Sequence, residues 1–183
     1  MNLNEIFVMR RAYRSLQPVK INEELVRELA TAASLSASCF NNQPWRFVFV
    51  YETDVLDKVK AAMNKGNRWT SAASLIIAVC SRRDLDCLVK EREYFLFDTG
   101  MATAFLILRA AEMGLVAHPI AGYDEEKVKE ALAIPADLTV ITLVNVGKHL
   151  LPPNDLLSEQ QKEIEKTRPE RKPLSEIMRL NRY

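Results

Sequence analysis

The segment from about Lys90 to Met113 most constrains what this chain can fold into. Tyr94, Phe97, Met101, Phe105 and Leu108 recur at three- or four-residue spacing, the opposite face carries Ala102, Ala110 and Ala111, and Gly114 stands where a helix would stop. A helix that is apolar all round its middle must be packed on every side, so it reads as a central core helix. Other segments have to supply that cover. Periodicity predicts helices over 3–9, about 22–34 behind the N-cap Asn22, 54–63, and from Asp124 through Leu132. Extended segments are predicted at 45–51, 74–81, 116–122 and 138–146, the last apolar on both faces as a central strand should be. Strands and helices interleave without clean βαβ repetition.

At 183 residues and 48% apolar, the chain fits one domain over 1–183. A chain of this length buries roughly two thirds of its unfolded surface and needs no disulfide or structural metal. Cys39, Cys80 and Cys87 are odd in number and unpatterned in spacing, which suits a reducing, cytoplasmic location, with Cys80 a small buried thiol. No apolar stretch reaches the ~20 residues of a membrane span, and Glu5 and Arg10 bracket too short an apolar run for a signal peptide. A formal charge of +1, from 25 basic and 24 acidic residues, argues against nucleic acid as a partner and makes any anion site local. His118 and His149 stand in no metal-ligand spacing, so no metal is expected.

After Gly147 the character changes: Pro152-Pro153, a charged helix near 155–166, then Arg168-Pro169-Glu170-Arg171-Lys172-Pro173. Residues 148–183 have too few large apolar side chains for a core of their own. This C-terminal arm must pack on the body, wrap a partner chain or fray. The small residues of the core helix permit close approach of a second helix in a symmetric dimer, although the same alanines would also fit beneath a sheet.

Three segments carry residue types that together could hold a flat, phosphorylated, redox-active ligand. Arg10-Arg11-Ala12-Tyr13-Arg14 offers several planar donors to one phosphate, with backbone N–H groups filling the remaining acceptors. It also reads as a solvated turn. Ser38-Cys39-Phe40-Asn41-Asn42-Gln43-Pro44 combines small residues with amides suited to the edge of a heterocycle, and reads equally as a helix-to-strand connection. Cys39 is rejected as a nucleophile, since nothing near it in sequence would lower a thiol pKa. His118-Pro119-Ile120-Ala121-Gly122 can lay backbone against a ring, or simply be a strand ending in a turn, and His118 reads as a packed histidine.

Taken in order, these segments resemble the nitroreductase family of FMN-dependent oxidoreductases. The similarity also runs through Trp45-Arg46-Phe47, Asp98-Thr99-Gly100, Ala110 to Leu115, Tyr123-Asp124 and Arg171-Lys172-Pro173-Leu174. The resemblance implies an α+β fold: a three-layer sandwich with a mainly antiparallel central sheet flanked by helices, dimeric, with the C-terminal arm exchanged across the dimer. It implies FMN at the interface, its phosphate held by the N-terminal arginines and by Arg171 with Lys172. Ser38 and Asn41 reach the flavin from the partner subunit, and Pro119, Ala121 and Gly122 line the ring near N5. Asn67 or Arg68 are placed to balance charge on the reduced ring. The implied cofactor-binding set is thus Arg10, Arg11, Ala12, Arg14, Ala37, Ser38, Cys39, Asn41, Asn67, Arg68, Pro119, Ile120, Ala121, Gly122, Arg171 and Lys172. No catalytic side chain is required, because the flavin carries the reaction.

The implied activity is hydride transfer from NADH or NADPH through FMN to nitroaromatic, quinone-like or other electron-poor small molecules. Alternatives are a flavin-binding redox sensor or storage protein without turnover, a specialised branch of the fold performing reductive dehalogenation or flavin fragmentation, or an interaction dimer whose basic turn meets an anionic partner. The chain departs from the family pattern at three places. Ala12 stands where serine is usual, a loss of about 1 kcal/mol of hydrogen bonding unless Arg11 compensates. Ala37 replaces a common proline, and the link between Ser81 and Lys90 is too short for the helices that cover the flavin in many relatives.

Overall fold

A computed structural model describes residues 1–183. In chain order the elements are α1 (Leu3–Met9), β1 (Leu16–Gln17), α2 (Glu23–Ser34), β2 (Arg46–Val50), α3 (Thr53–Ala61), β3 (Leu75–Ser81), β4 (Leu88–Val89), β5 (Arg92–Glu93), α4 (Tyr94–Glu112), β6 (Val116–Ile120), α5 (Glu125–Leu132), β7 (Thr139–His149), α6 (Glu159–Lys166) and α7 (Leu174–Ile177). Asn2, Asn22, Asp124 and Ser158 cap α1, α2, α5 and α6 through their side-chain oxygens. Two of these, Asn2 with Glu5 and Ser158 with Gln161, close full capping boxes.

Strand β7 organises the sheet. It pairs antiparallel with β1, β3 and β6, and β3 pairs antiparallel with β2, giving five strands. Along β3 the side chains alternate between two cores. Leu75, Ile77 and Val79 face α2 and α4, joining Leu29, Ala33, Ala102, Leu106 and Ala110. Ile76, Ala78 and Cys80 face the opposite layer, with Leu56 and Val59 of α3, Val128 of α5 and Trp69. A strand apolar on both faces is thereby covered on both faces, and the α+β three-layer sandwich implied by the family resemblance is the observed architecture.

Of the two readings open for the alanine face of the core helix, the structure shows the second: Ala102, Leu106 and Ala110 are fully buried beneath the sheet against α2. The large side chains Leu96, Phe97 and Phe105 remain 47%, 62% and 45% exposed instead. By length and composition α4 is the one helix suited to crossing a membrane, which the sequence reading did not foresee. It also carries buried Asp98, Thr99 and Thr103 on the face that packs into the protein.

Two smaller differences matter for the site. The helix starts at Tyr94 rather than Lys90, because 88–93 form a short hairpin whose turn residues Lys90 and Glu91 adopt left-handed φ of 49° and 69°. The cysteines are patterned after all. Cys39 and Cys87 are joined in a disulfide across 48 residues, while Cys80 is free and buried as expected. Sequence spacing concealed the pair because the hairpin that carries Cys87 has no strong local signal.

Leu106 sits where α4 meets both α2 and the sheet, so Leu106→Ala should lower unfolding free energy by about 2–5 kcal/mol. Urea denaturation checks this; a loss below about 1 kcal/mol would mean that the layer collapses to fill the space.

Candidate functional site

Past α1 the backbone leaves the helical region at Arg10, with φ −59° and ψ 118°, and runs extended into β1. This turn lines a cavity of about 420 Å³ through Arg10, Arg11, Ala12 and Arg14. The opposite wall is the arm, which supplies Arg168 and Arg171. Arg168 Nη2 donates to the carbonyl of Arg10 at 2.7 Å and to that of Val8, fastening arm to turn. Burial, reinforced by the positive charges of Arg168 and Arg171, holds the Arg10 guanidinium below its ordinary pKa. Five arginines around one cavity form a site that favours a multiply charged anion, and planar donors in this number suit a phosphate. The donor set therefore fits the phosphate end of FMN.

Glu165 of α6 fixes the turn from behind. Its carboxylate, in a residue only 5% exposed, accepts the N–H of Arg14 at 2.9 Å and of Ser15 at 3.4 Å. Those backbone donors are consequently not free for a phosphate, contrary to the sequence expectation. Arg11 is also occupied. Its Nη2 donates to the carbonyls of Ile164 and Thr167 at 3.1 and 2.7 Å, and its guanidinium lies 4.4 Å from the Tyr13 ring centroid, so it does not stand in for the hydroxyl missing at Ala12. Tyr13 stacks on His149 with centroids 3.6 Å apart, and His149 Nε2 lies 3.5 Å from Glu165. Lys172 turns away to pair with Glu176 at 3.3 Å. Arg168 is the residue the sequence reading missed; the arm's arginines were visible, but not which of them faces the turn.

The 37–43 loop is held in an unusual backbone. Phe40, Asn41 and Gln43 have φ of 48°, 58° and 49°, each a conformation costing on the order of 1–3 kcal/mol in a non-glycine residue. Ser38 Oγ accepts the Gln43 N–H at 3.0 Å, and the Cys39 N–H donates to Asp98 Oδ2 at 2.6 Å. Asp98, 2% exposed in α4, is a second residue that the candidate set lacked. Burial raises its pKa, the Cys39 N–H pulls it down, and Asp86 raises it further. Cys39, among the residues expected to bind the cofactor, has its sulfur bonded to Cys87. Ala37 and Asn41 are exposed, and Phe40 is 91% exposed.

In β6 the strand alternation leaves Pro119 exposed and turns His118 and Ile120 inward. Ile120 thus contributes its side chain to the core rather than to a ligand face. The carbonyl of Gly122 accepts from Asn64 N at 3.0 Å and Asn67 Nδ2 at 2.8 Å. A Cβ at position 122 would lie 2.6 Å from that Asn67 nitrogen, so glycine is what permits the approach. Asn67 is spent on this brace, whereas the Arg68 side chain is exposed. Neither the 37–41 loop nor residues 119–122 line the arginine cavity of the same chain.

His118 braces the arginine turn from inside. It is 6% exposed, its Nδ1 lies 3.0 Å from the Tyr13 carbonyl, and its ring packs 4.7 Å from that of Trp69. The contact to a carbonyl requires a proton on Nδ1. Burial pushes the imidazole down to about 4, opposed by the Tyr13 hydrogen bond and assisted by the charges of Arg14 and Arg10.

Residues 8–148 match the model of the nitroreductase family. A protein of Archaeoglobus fulgidus, named as a candidate NADH dehydrogenase/NAD(P)H nitroreductase, is 28% identical over 144 residues, covering 75% of this chain and 80% of that protein. A protein of Xanthomonas oryzae with the same naming is 29% identical over 164 residues, covering 79% and 84%. Among solved structures, a nitroreductase family protein of Clostridium difficile superposes with a TM-score of 0.81 at 25% identity, covering 100% of both chains. An oxidoreductase containing FMN superposes at 0.86 with 25% identity, over 100% of this chain and 93% of that one.

Because His118 takes up its proton near pH 4 when folded and near 6.5 when unfolded, the unfolded chain binds more protons in between. Stability is therefore whole above about pH 6.5 and falls with acidification by about 1.4 kcal/mol per pH unit, about 3 kcal/mol in all by pH 4. Urea unfolding between pH 4 and 7 should show this slope, and His118→Gln should flatten it; an equal slope in the variant would assign it to other groups.

Proposed function

The chain belongs to the nitroreductase family, and from that membership we propose that it is an FMN-dependent oxidoreductase, working as a cytoplasmic homodimer. It passes hydride from NADH or NADPH to nitroaromatic, quinone-like or other electron-poor acceptors. The observation that carries the reading is the convergence of Arg10, Arg14, Arg168 and Arg171 on one cavity, which suits the phosphate of FMN. The relatives named for NAD(P)H nitroreduction and the solved oxidoreductase containing FMN support the same cofactor and reductant.

When bound, FMN supplies a ring that accepts and returns a hydride at N5. This chain's residues bind and orient it. The four arginines hold the phosphate, with Glu165 and His118 keeping the turn in shape beneath them. Pro119, Ala121 and Gly122 offer a backbone edge propped by Asn67, and the exposed Arg68 provides the cation for the electron-rich side of the ring. Ser38 and Asn41 reach the ring across the dimer. The exposure of Asn41 within one chain, and the separation of both residues from the arginine cavity, support a site completed by a second copy.

Exposed apolar surface supports the dimer. Phe40, Leu96, Phe97 and Phe105 lie open, as do Phe7 and Val8 of α1. The arm adds Leu174, Ile177 and Leu180, each more than half exposed, which suits its exchange onto a partner.

Gel filtration after FMN addition should give one retained flavin per chain in a dimer peak, seen in the visible spectrum. Arg10→Ala with Arg14→Ala should raise the FMN Kd on the order of 100-fold with little change in urea midpoint; an unchanged Kd would remove the phosphate assignment. Retained flavin without oxidation of NADH or NADPH would favour the sensor or storage reading. FMN should also tighten the dimer, because a ligand spanning an interface stabilises both. Sedimentation at several FMN concentrations measures this, and a dimer constant indifferent to FMN would argue against a shared site.

A further inference from the structure

The Cys39–Cys87 bond ties the 38–43 loop to the hairpin that precedes α4. Neither cysteine is fully buried, unlike Cys80. The loop that Cys39 anchors holds three non-glycine residues at left-handed φ, a conformation that persists only while its surroundings enforce it. Its side-chain ties to the rest of the chain include the Cys39 N–H to Asp98, Asn42 Nδ2 to Asp86 Oδ1 at 3.2 Å and Arg46 Nη1 to the Gln43 carbonyl at 3.1 Å, with the Gln43 N–H to Ser38 Oγ inside the loop. One of these carboxylates, Asp86, lies beside both sulfurs. Asp86 Oδ1 also accepts the Cys87 N–H at 2.8 Å, and Asp86 Oδ2 is buried without a donor. Opening the disulfide would thus remove the one covalent restraint on a strained loop.

We propose that Cys39–Cys87 is a thiol-exchangeable latch, opened by low-molecular-weight thiols and closed by their disulfides, whose closure orders the 38–43 loop and tightens FMN binding. The part concerning FMN rests on the function proposed above; the latch itself does not. Asn42 Nδ2 lies 3.5 Å from Cys87 Sγ and favours that sulfur as the departing thiolate. An external thiolate accordingly attacks Cys39 Sγ, breaking the protein disulfide and forming a mixed disulfide on Cys39. A second external thiolate attacks the external sulfur of that mixed disulfide and releases Cys39. Two thiols are oxidised to one small disulfide, the protein disulfide is reduced, and the two thiol protons end on Cys39 and Cys87. Oxidation runs the same steps backwards.

The test uses the full chain equilibrated in glutathione/glutathione disulfide buffers of varied ratio, then alkylated natively with N-ethylmaleimide and mapped by mass spectrometry. Cys39 and Cys87 should label together and reversibly as the buffer becomes reducing, with buried Cys80 unlabelled throughout as the internal control. Hydrogen exchange of the 36–45 segment in flavin-free protein should accelerate at least threefold on reduction, and the FMN Kd should rise at least threefold. Cys87→Ser should show the fast exchange in every buffer; if that variant does not fold, the wild-type measurements suffice. Cysteines that label fully even in oxidising buffer, or stay bonded in native protein under excess dithiothreitol, would overturn the exchange. A reduced form that holds one zinc ion per chain and fails to reoxidise would overturn it in favour of a metal site built from Cys39, Asp86 and Cys87. Unchanged segment exchange between the two redox states would overturn the latch. If FMN binds in neither state while labelling and exchange behave as expected, the function reading fails and the latch stands.

Discussion

A buried carboxylate on the C-terminal arm, Glu165, holds together the part of this protein where its charges concentrate. By accepting the N–H groups of Arg14 and Ser15 it fixes the backbone that presents the arginines, and it brings α6 to within reach of the turn. Arg168 and Arg171 follow on the same arm and complete the cavity. A negative charge placed behind a cluster of positive ones also offsets their mutual repulsion without occupying the space in front of them. Tyr13, His149 and Arg11 stack around the same point, so packing as well as charge keeps the arm on the body.

Beneath that turn lies the sheet, and β7 transmits its order to the site. β6 is positioned by pairing with β7, which sets His118 inward under the turn and leaves Pro119 outward. The two sides of the sheet have separate cores, one with α2 and α4 and one with α3 and α5. The 37–43 loop is held from the first, through Asp98 of α4, and Gly122 from the second, through the 64–67 segment. Their fixed separation is a property of the sandwich rather than of either loop.

Elements with strong periodicity were legible in the sequence. The helices at 3–9, 23–34 and 125–132 and the strand from 75 to 81 fall where spacing and caps put them. Short pieces were not: β1, the hairpin of β4 and β5, and α7 have two to four residues each, too few for a period to register. Among site residues, the arginine turn and the polar loop stood out by composition, although each also read as an ordinary turn or connection until the order of segments gave the family resemblance. Glu165, Arg168 and Asp98 did not, because each looks locally like an ordinary helix or arm charge. Their partners lie about 150 residues away for Glu165 and Arg168 and 59 for Asp98.

The sequence by itself determined the buried elements, through strands apolar on both faces and a helix apolar around its middle, and it displayed the segments whose family resemblance implied the layer architecture. Local pattern suffices there because burial acts on each element separately. Only the tertiary structure decided which arginines face one cavity, that Arg11 and Asn67 are braces, that the alanine face of α4 lies under the sheet, and that Cys39 meets Cys87. Those outcomes depend on which distant groups compete for the same donors and the same space, and a one-dimensional pattern carries no term for that competition.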